Sequence, residues 1–284
     1  MAAAERQAEV GPEQAGAGLA RIGFEASGGR TRLARLEQRA PLRVLFPRVR
    51  GGDLVEAVLL NTGGGVVGGD RLAVEVEAGP GAQVRLTTQA AERIYRSAGP
   101  SCALEVRLRA GRDAWLEWLP QETILFDGCR IRRQLVLDLA PGARALAGEV
   151  VVFGRAAHGE ALSAGALSDR WWLCRGGRLL WADALRLDGA LAPCLAAPFG
   201  FAGARAMATL VFAAEDAAAW LEPARALGGA GEVTSGLTCL PGVLIGRWLG
   251  VDAQAIRAAY GAFVARLRAL VAGLPPRLPA MWQS

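Results

Sequence analysis

Asn61-Thr62-Gly63-Gly64-Gly65-Val66-Val67-Gly68-Gly69-Asp70 packs five glycines into ten residues, closes on an aspartate and holds the chain's only asparagine. Gly63, Gly65 and Gly68 spell G-x-G-x-x-G, the string of a dinucleotide-binding turn. Such a turn has to open a helix, because the pyrophosphate rests on the helix N-terminus. Here Asp70-Arg71-Leu72-Ala73-Val74-Glu75-Val76-Glu77 comes next, alternating polar and apolar with period two, which is a strand signature. Strand, glycine turn, strand is the wrong context for a nucleotide. The glycines then serve a tight crossing of two chain segments, through positive φ and close backbone approach, or an anion nest. The lack of a lysine and of a helix weighs against the nest.

Outward from this segment the pattern stays β to about residue 155. Leu72, Val74 and Val76 share a face, and Val84 and Leu86 resume it after Ala78-Gly79-Pro80-Gly81-Ala82. Leu104, Val106 and Leu108 alternate with Glu105, Arg107 and Arg109 before a turn at Ala110-Gly111-Arg112-Asp113. A strand over residues 134–139 then runs into Ala140-Pro141-Gly142-Ala143. These turns recur at roughly thirty residues, the spacing of a repeat architecture or of an ordinary meander. Alternation stops at residues 87–95, read as a short helical turn or a loop, and Pro120 ends one strand before the next begins. β character returns over residues 167–187. Two helices are expected in the last third, over 215–226, where Pro223 should bend or end it, and over 252–272. In the second, Asp252 caps, Ile256, Tyr260, Phe263, Val264, Leu267, Leu270 and Val271 form a stripe, and Gly273 and Pro275 stop it. That stripe serves the core or a partner. The fold class is mainly β, with solenoid-like layered strands and a few α-helices near the end. Residues 1–18 read as a disordered leader and 19–284 as a single β-rich domain.

With 284 residues the chain can bury roughly 75% of its unfolded surface without disulfide or metal. The net charge of +5 comes wholly from arginine, scattered without stacking aromatics, which is not the footprint of a nucleic-acid binder. Five dispersed cysteines include no C-x-x-C. No secretory signal and no apolar run near the ~20 residues of a membrane span is present. A cytoplasmic protein with reduced thiols is expected.

His158 is the only histidine, so any Ser-His-Asp triad, Cys-His pair or multi-histidine metal site would have to use it. A loop histidine without catalytic role is the simpler reading. Asp70, Glu92, Glu122, Glu149, Glu160, Asp169 and Asp183 sit near breaks in the alternation. Paired carboxylates could run glycoside hydrolysis on a β-helical scaffold, cap turns, pair with arginine, or hold a divalent ion transiently.

Three blocks together resemble the urease accessory protein D family, called H in some organisms. They are Leu60 with the glycine segment, Thr87-Thr88-Gln89-Ala90-Ala91-Glu92-Arg93-Ile94-Tyr95-Arg96-Ser97, and Trp118-Leu119-Pro120-Gln121-Glu122-Thr123-Ile124-Leu125-Phe126. The motif positions are Asn61, Thr62, Gly63, Gly64, Gly68, Gly69, Thr88, Gln89, Tyr95, Pro120 and Gln121. Phe153-Gly154-Arg155 with Gly159-Glu160, and Asp169-Arg170-Trp171 followed by Asp183, resemble later blocks. Ala156-Ala157-His158 departs from the pattern. The resemblance implies a β-rich, solenoid-like, non-enzymatic scaffold that docks on apo-urease and recruits accessory proteins F and G, G being a GTPase that keeps the GTP. It implies no tightly bound cofactor, only nickel in transit through a water-filled passage. By the same resemblance Asp70, Glu92, Glu122, Glu160 and Asp183 are candidates to line that passage. The alternative is a β-helical carbohydrate-active enzyme using two of the carboxylates.

Overall fold

A computed structural model describes residues 17–48, 53–155, 158–228 and 233–283. The period-two segments become parallel strands in two facing sheets. In the first, β5 (Arg71–Ala78), β8 (Cys102–Ala110), β11 (Arg130–Leu139) and β13 (Ala164–Arg175) lie side by side, all parallel. In the second, β4 (Val55–Asn61), β6 (Gln83–Thr88), β9 (Trp115–Trp118) and β12 (Arg144–Phe153) do the same. The chain crosses from one sheet to the other at every turn, so each coil of about thirty residues stacks on the one before. The three turns that suggested a repeat are stacked as well: Gly111 N donates to Ala78 O at 2.7 Å and Ala140 N to Ala110 O at 2.8 Å. The spacing is therefore that of a β-solenoid, not of a meander.

A third, narrow side closes each coil. Val66, β7 (Glu92–Ile94), β10 (Thr123–Leu125) and the end of β12 form a parallel ladder there, with Ile94 beside Val66, and Glu92, Thr123 and Val151 in register. Residues 87–95 thus contain a strand rather than a helical turn or a plain loop. Ile94 is fully buried, and its neighbours above and below supply the pairing that its own sequence does not signal.

The first and last coils are extended by antiparallel strands. β1 (Ala17–Ser27) pairs parallel with β5 and antiparallel with β2 (Arg30–Arg39), and β3 (Leu42–Leu45) flanks β4. Residues 1–16 of the expected leader lie outside the described residues, whereas Ala17 and Gly18 already pair with Arg71 and Leu72. At the other end β14 (Arg178–Ala190) pairs with β13. The second sheet continues through β15 (Ala206–Ala213), β17 (Val243–Gly250) and β16 (Thr234–Leu240).

Helices are few. α1 (Ala192–Ala196) is a single turn. The helix expected at 215–226 is a 3-10 turn at Ala217–Trp220 followed by α2 (Leu221–Arg225). Pro223 sits in the first turn of α2, where its missing N–H has no helical partner to lose. α3 (Ala253–Ala272) follows the sequence reading closely. The Asp252 carboxylate accepts from Gln254 N at 2.8 Å, and Gly273 ends the helix with φ +64°. Ile256, Tyr260, Phe263, Val264, Leu267 and Val271 bury against Leu210, Phe212 and Trp248 on the outer face of the second sheet. The stripe serves the core, at about 1.5–3 kcal/mol for each large side chain fully buried.

Candidate functional site

The three sequence blocks occupy equivalent positions in successive coils, each leaving the second sheet and turning through the narrow side. Asn61 folds the first. Its carbonyl accepts from Gly63 N at 2.9 Å, and its amide donates to Gly65 O at 3.2 Å and to Glu92 Oε1 at 3.0 Å. Thr62 Oγ1 donates to Pro41 O, and Tyr95 OH donates to Gly64 O at 3.1 Å. Gly65 (φ +147°) and Gly68 are true crossings. A Cβ would fall 2.4 Å from the Tyr95 ring at the first and 2.1 Å from Ser97 Oγ at the second. Gly64 (φ +74°) and Gly69 (φ +94°) turn the chain between them. Asp70 accepts from Val67 N at 2.9 Å and pins the end of the loop. The second and third blocks are joined directly. Gln121 N donates to Thr88 Oγ1 at 2.9 Å, and the Gln121 amide reaches Gln89 O at 2.6 Å and Met281 O at 2.9 Å.

Behind these blocks the sheets do not close on one another. A cavity of about 280 Å³ lies between Leu72, Val74, Leu104 and Val106 of the first sheet and Leu59, Trp118 and Glu149 of the second. Asn61, Gly64, Gly65, Thr88, Gln89, Glu92, Pro120, Gln121 and Thr123 form its third wall. Exposed Gly64, Gln89, Ala90 and Arg93 lie at its rim. Apolar walls with a few convergent polar groups are the ordinary make-up of a ligand cavity. Glu92 is the acid of this third wall. Burial pushes its carboxyl up to about 7 against the opposing Asn61 amide, with Asp70 adding to the rise.

At the inner end the apolar rows give way to charge. One row of the first sheet runs Leu72, Leu104, Arg133, Asp169 in register. Arg133 forks onto Asp169, with Nε to Oδ1 at 3.0 Å and Nη2 to Oδ2 at 2.5 Å. Its Nη1 lies 2.7 Å from Glu149 Oε2 and 3.2 Å from Thr123 Oγ1. Trp118 Nε1 donates to the other Glu149 oxygen at 3.3 Å. Burial pushes the Glu149 carboxyl up while Arg133 pulls it down, and the two carboxylates raise the Arg133 guanidinium above its ordinary value despite burial. The row of the second sheet runs Glu149, Thr209, Arg247. Arg247 Nη1 donates to Thr209 Oγ1 at 3.0 Å and Nη2 to Asp183 Oδ2 at 2.5 Å. Arg247 and Asp183 are partly exposed, so a polar seam runs through an otherwise apolar interior from the cavity to the open end of the sandwich.

Of the five expected passage carboxylates, Glu92 lines the cavity and Asp183 stands at the far end of the seam. Asp70 lies behind the glycine loop. Glu122 pairs with Arg257 of α3 at 2.6 Å. Glu160 pairs with Arg155 and accepts from Asp127 N at 2.7 Å. His158 is exposed on a turn, its N donating to Arg155 O, and Ala156 and Ala157 beside it lie outside the described residues. Among the described residues no three His, Cys, Asp or Glu side chains cluster to hold a metal. Nothing in the sequence around Glu149 and Asp169 couples them, and nothing there marks Arg133, Thr209 or Arg247 as their partners. The signal lies in the register, where a charged pair continues a row of leucines.

The family model described as UreD urease accessory protein matches residues 16–283. The chain is 44% identical over 281 residues to the urease accessory protein UreD of Magnetococcus marinus, covering 96% of each chain. It is 46% identical over 284 residues to that of Methylobacterium sp. strain 4-46, covering 98% of this chain and 96% of the relative. With that of Xanthobacter autotrophicus it shares 47% over 240 residues, 84% of this chain and 82% of the relative. The resemblance carried by the three blocks extends over the whole described fold, and the chain belongs to the UreD urease accessory protein family.

Proposed function

We propose that this chain is a non-catalytic scaffold of urease maturation, working in the cytoplasm, that docks on apo-urease, recruits accessory proteins F and G, and conducts nickel through its interior. Membership of the family supports the role in urease maturation. The observation that carries the conduction reading is the seam. Glu92, Glu149, Thr209 and Asp183 give a row of oxygen groups that starts in a cavity and ends at partly exposed residues. Oxygen groups spaced along a path hold a divalent ion weakly, which suits transit better than storage. No helix among the described residues is long and apolar enough to cross a membrane. The alternative, hydrolysis by a carboxylate pair, finds little support. Glu149 is engaged by Arg133 and Trp118, and Glu105 at the cavity edge by Arg107. Glu92 is left without a free partner acid among the described cavity residues.

The test is genetic and biochemical together. Deleting the gene is expected to leave urease soluble and nickel-poor, and the full chain to co-purify with accessory protein F. Normal urease activity in the deletion strain without added nickel, or absence of any complex with F and urease, would overturn the reading.

A further inference from the structure

We propose that Arg133 is the specificity-determining residue of the seam: a tethered cation that closes the inner end of the cavity and yields only to an ion that outcompetes it for Glu149. The proposal rests on the conduction reading above. Position is the first argument. The inward row that lines the cavity is leucine in two coils, at Leu72 and Leu104, and becomes Arg133 in the third, 6% exposed and facing the void. Any ion leaving the cavity for Thr209 and Asp183 meets this guanidinium.

Unequal grip is the second argument. Arg133 holds Asp169 with a two-pronged fork, but reaches Glu149 through Nη1 alone, which among the described residues also meets Thr123 Oγ1. Forked pairs are the stronger and more directional kind. Release therefore occurs on the Glu149 side, while Asp169 keeps the arginine anchored. Glu149 does not drift when released, because Trp118 Nε1 still holds its other oxygen. Asp169 is not among the cavity-lining groups, so the anchor is shielded from the incoming ion.

Charge is the third. Two carboxylates share one guanidinium, so this node attracts a cation even when shut. A divalent ion that takes Glu149 displaces one arginine contact and leaves the other intact. The exchange sets a threshold. Affinity of such sites rises from manganese through cobalt to nickel, so weak binders fail to displace the guanidinium where nickel succeeds. Arg247, between Thr209 and Asp183, places a second guanidinium at the exit, on a single carboxylate.

The experiment is metal analysis of urease purified from cells that carry the full-length chain and all its partners, grown with nickel, cobalt and manganese together. Arg133→Met combined with Asp169→Asn removes the gate and keeps the single net negative charge of the node. The proposal expects cobalt or manganese in urease beside nickel, and a nickel requirement for half-maximal activation lower by roughly tenfold, the scale of one screened charge contact. Arg133→Lys is the second arm, since it keeps the charge but gives up the fork on Asp169, and relaxed metal composition is expected there too. Native metal composition in both soluble variants would overturn the gate and make Arg133 a structural ion pair. Glu149→Gln separates the two readings. If it impairs nickel loading while the Arg133 variants keep native selectivity, only the gate falls. If it leaves nickel loading unchanged, conduction through the seam falls with it.

Discussion

The second sheet carries buried charge on both faces, and the two groups are built differently. On the outer face, beneath α3, Arg268 reaches Asp53 at 2.7 Å and Glu117 at 3.0 Å; Arg85 reaches Glu56 at 2.6 Å; Arg277 reaches Asp53 at 2.9 Å. Three cations meet three carboxylates, and the Arg268, Glu117 and Asp53 side chains are fully shielded from solvent. Burial alone would raise Asp53, yet Arg268 and Arg277 hold it down at about 2. On the inner side Glu149 meets Arg133 of the first sheet, whose one guanidinium serves both Glu149 and Asp169, and Glu92 on the narrow side has an amide for a partner; Arg133, Glu149 and Glu92 border a void. Balanced charge packed under a helix is architecture; unbalanced charge facing a cavity is the feature on which the proposed nickel conduction rests.

The outer group should break most heavily. Arg268→Met leaves Asp53 and Glu117 short of a buried partner and is expected to cost about 3–5 kcal/mol in chemical denaturation. A loss much under 1 kcal/mol would mean that the helix does not depend on this network. Glu92→Gln should act in the opposite sense. The folded carboxyl lies at about 7 rather than its ordinary 4.5, so the folded state binds the proton more tightly than the unfolded chain. Ionised Glu92 therefore destabilises the fold increasingly as pH rises from about 4.5 to 7, and the full cost stands above that window. Glu92→Gln is expected to stabilise the protein by about 1–3 kcal/mol at pH 8, with the advantage vanishing near pH 4.5. An equal effect at both pH values would show that the carboxyl is not held out of water. Asp252→Ala, remote from both groups, removes the α3 cap and should cost about 1 kcal/mol without altering urease activation. Impaired activation there, with the complex intact, would tie α3 to function and blur the contrast between the faces.

Much of this was legible in the chain. Period-two segments separated by turns at about thirty-residue spacing mark the strands, with coil or meander left open, and the stripe from Ile256 to Val271 with Asp252 and Gly273 gives α3 within a residue. The glycine segment loses its nucleotide reading to β5, the strand directly after it. The strand at Glu92–Ile94 was not legible, because three residues carry no alternation and their pairing comes from Val66 and Thr123–Leu125 in other coils. The seam was hidden for the same reason. Arg133, Glu149 and Asp169 are brought together by coil stacking, and only the register of Leu72, Leu104 and Arg133 would have revealed them. Glu122 and Glu160 are carboxylates of the matching blocks, and their pairing with Arg257 and Arg155 was not legible in the sequence.

The central claim is that nickel reaches urease through the inner face of this sheet. The most direct measurement is the nickel content of urease matured with the Glu92→Gln/Glu149→Gln chain, in cells where the complex with F, G and urease is shown to be intact. The account predicts urease that is folded, present in normal amount and largely empty of nickel. Nickel content equal to that obtained with the native chain would contradict it.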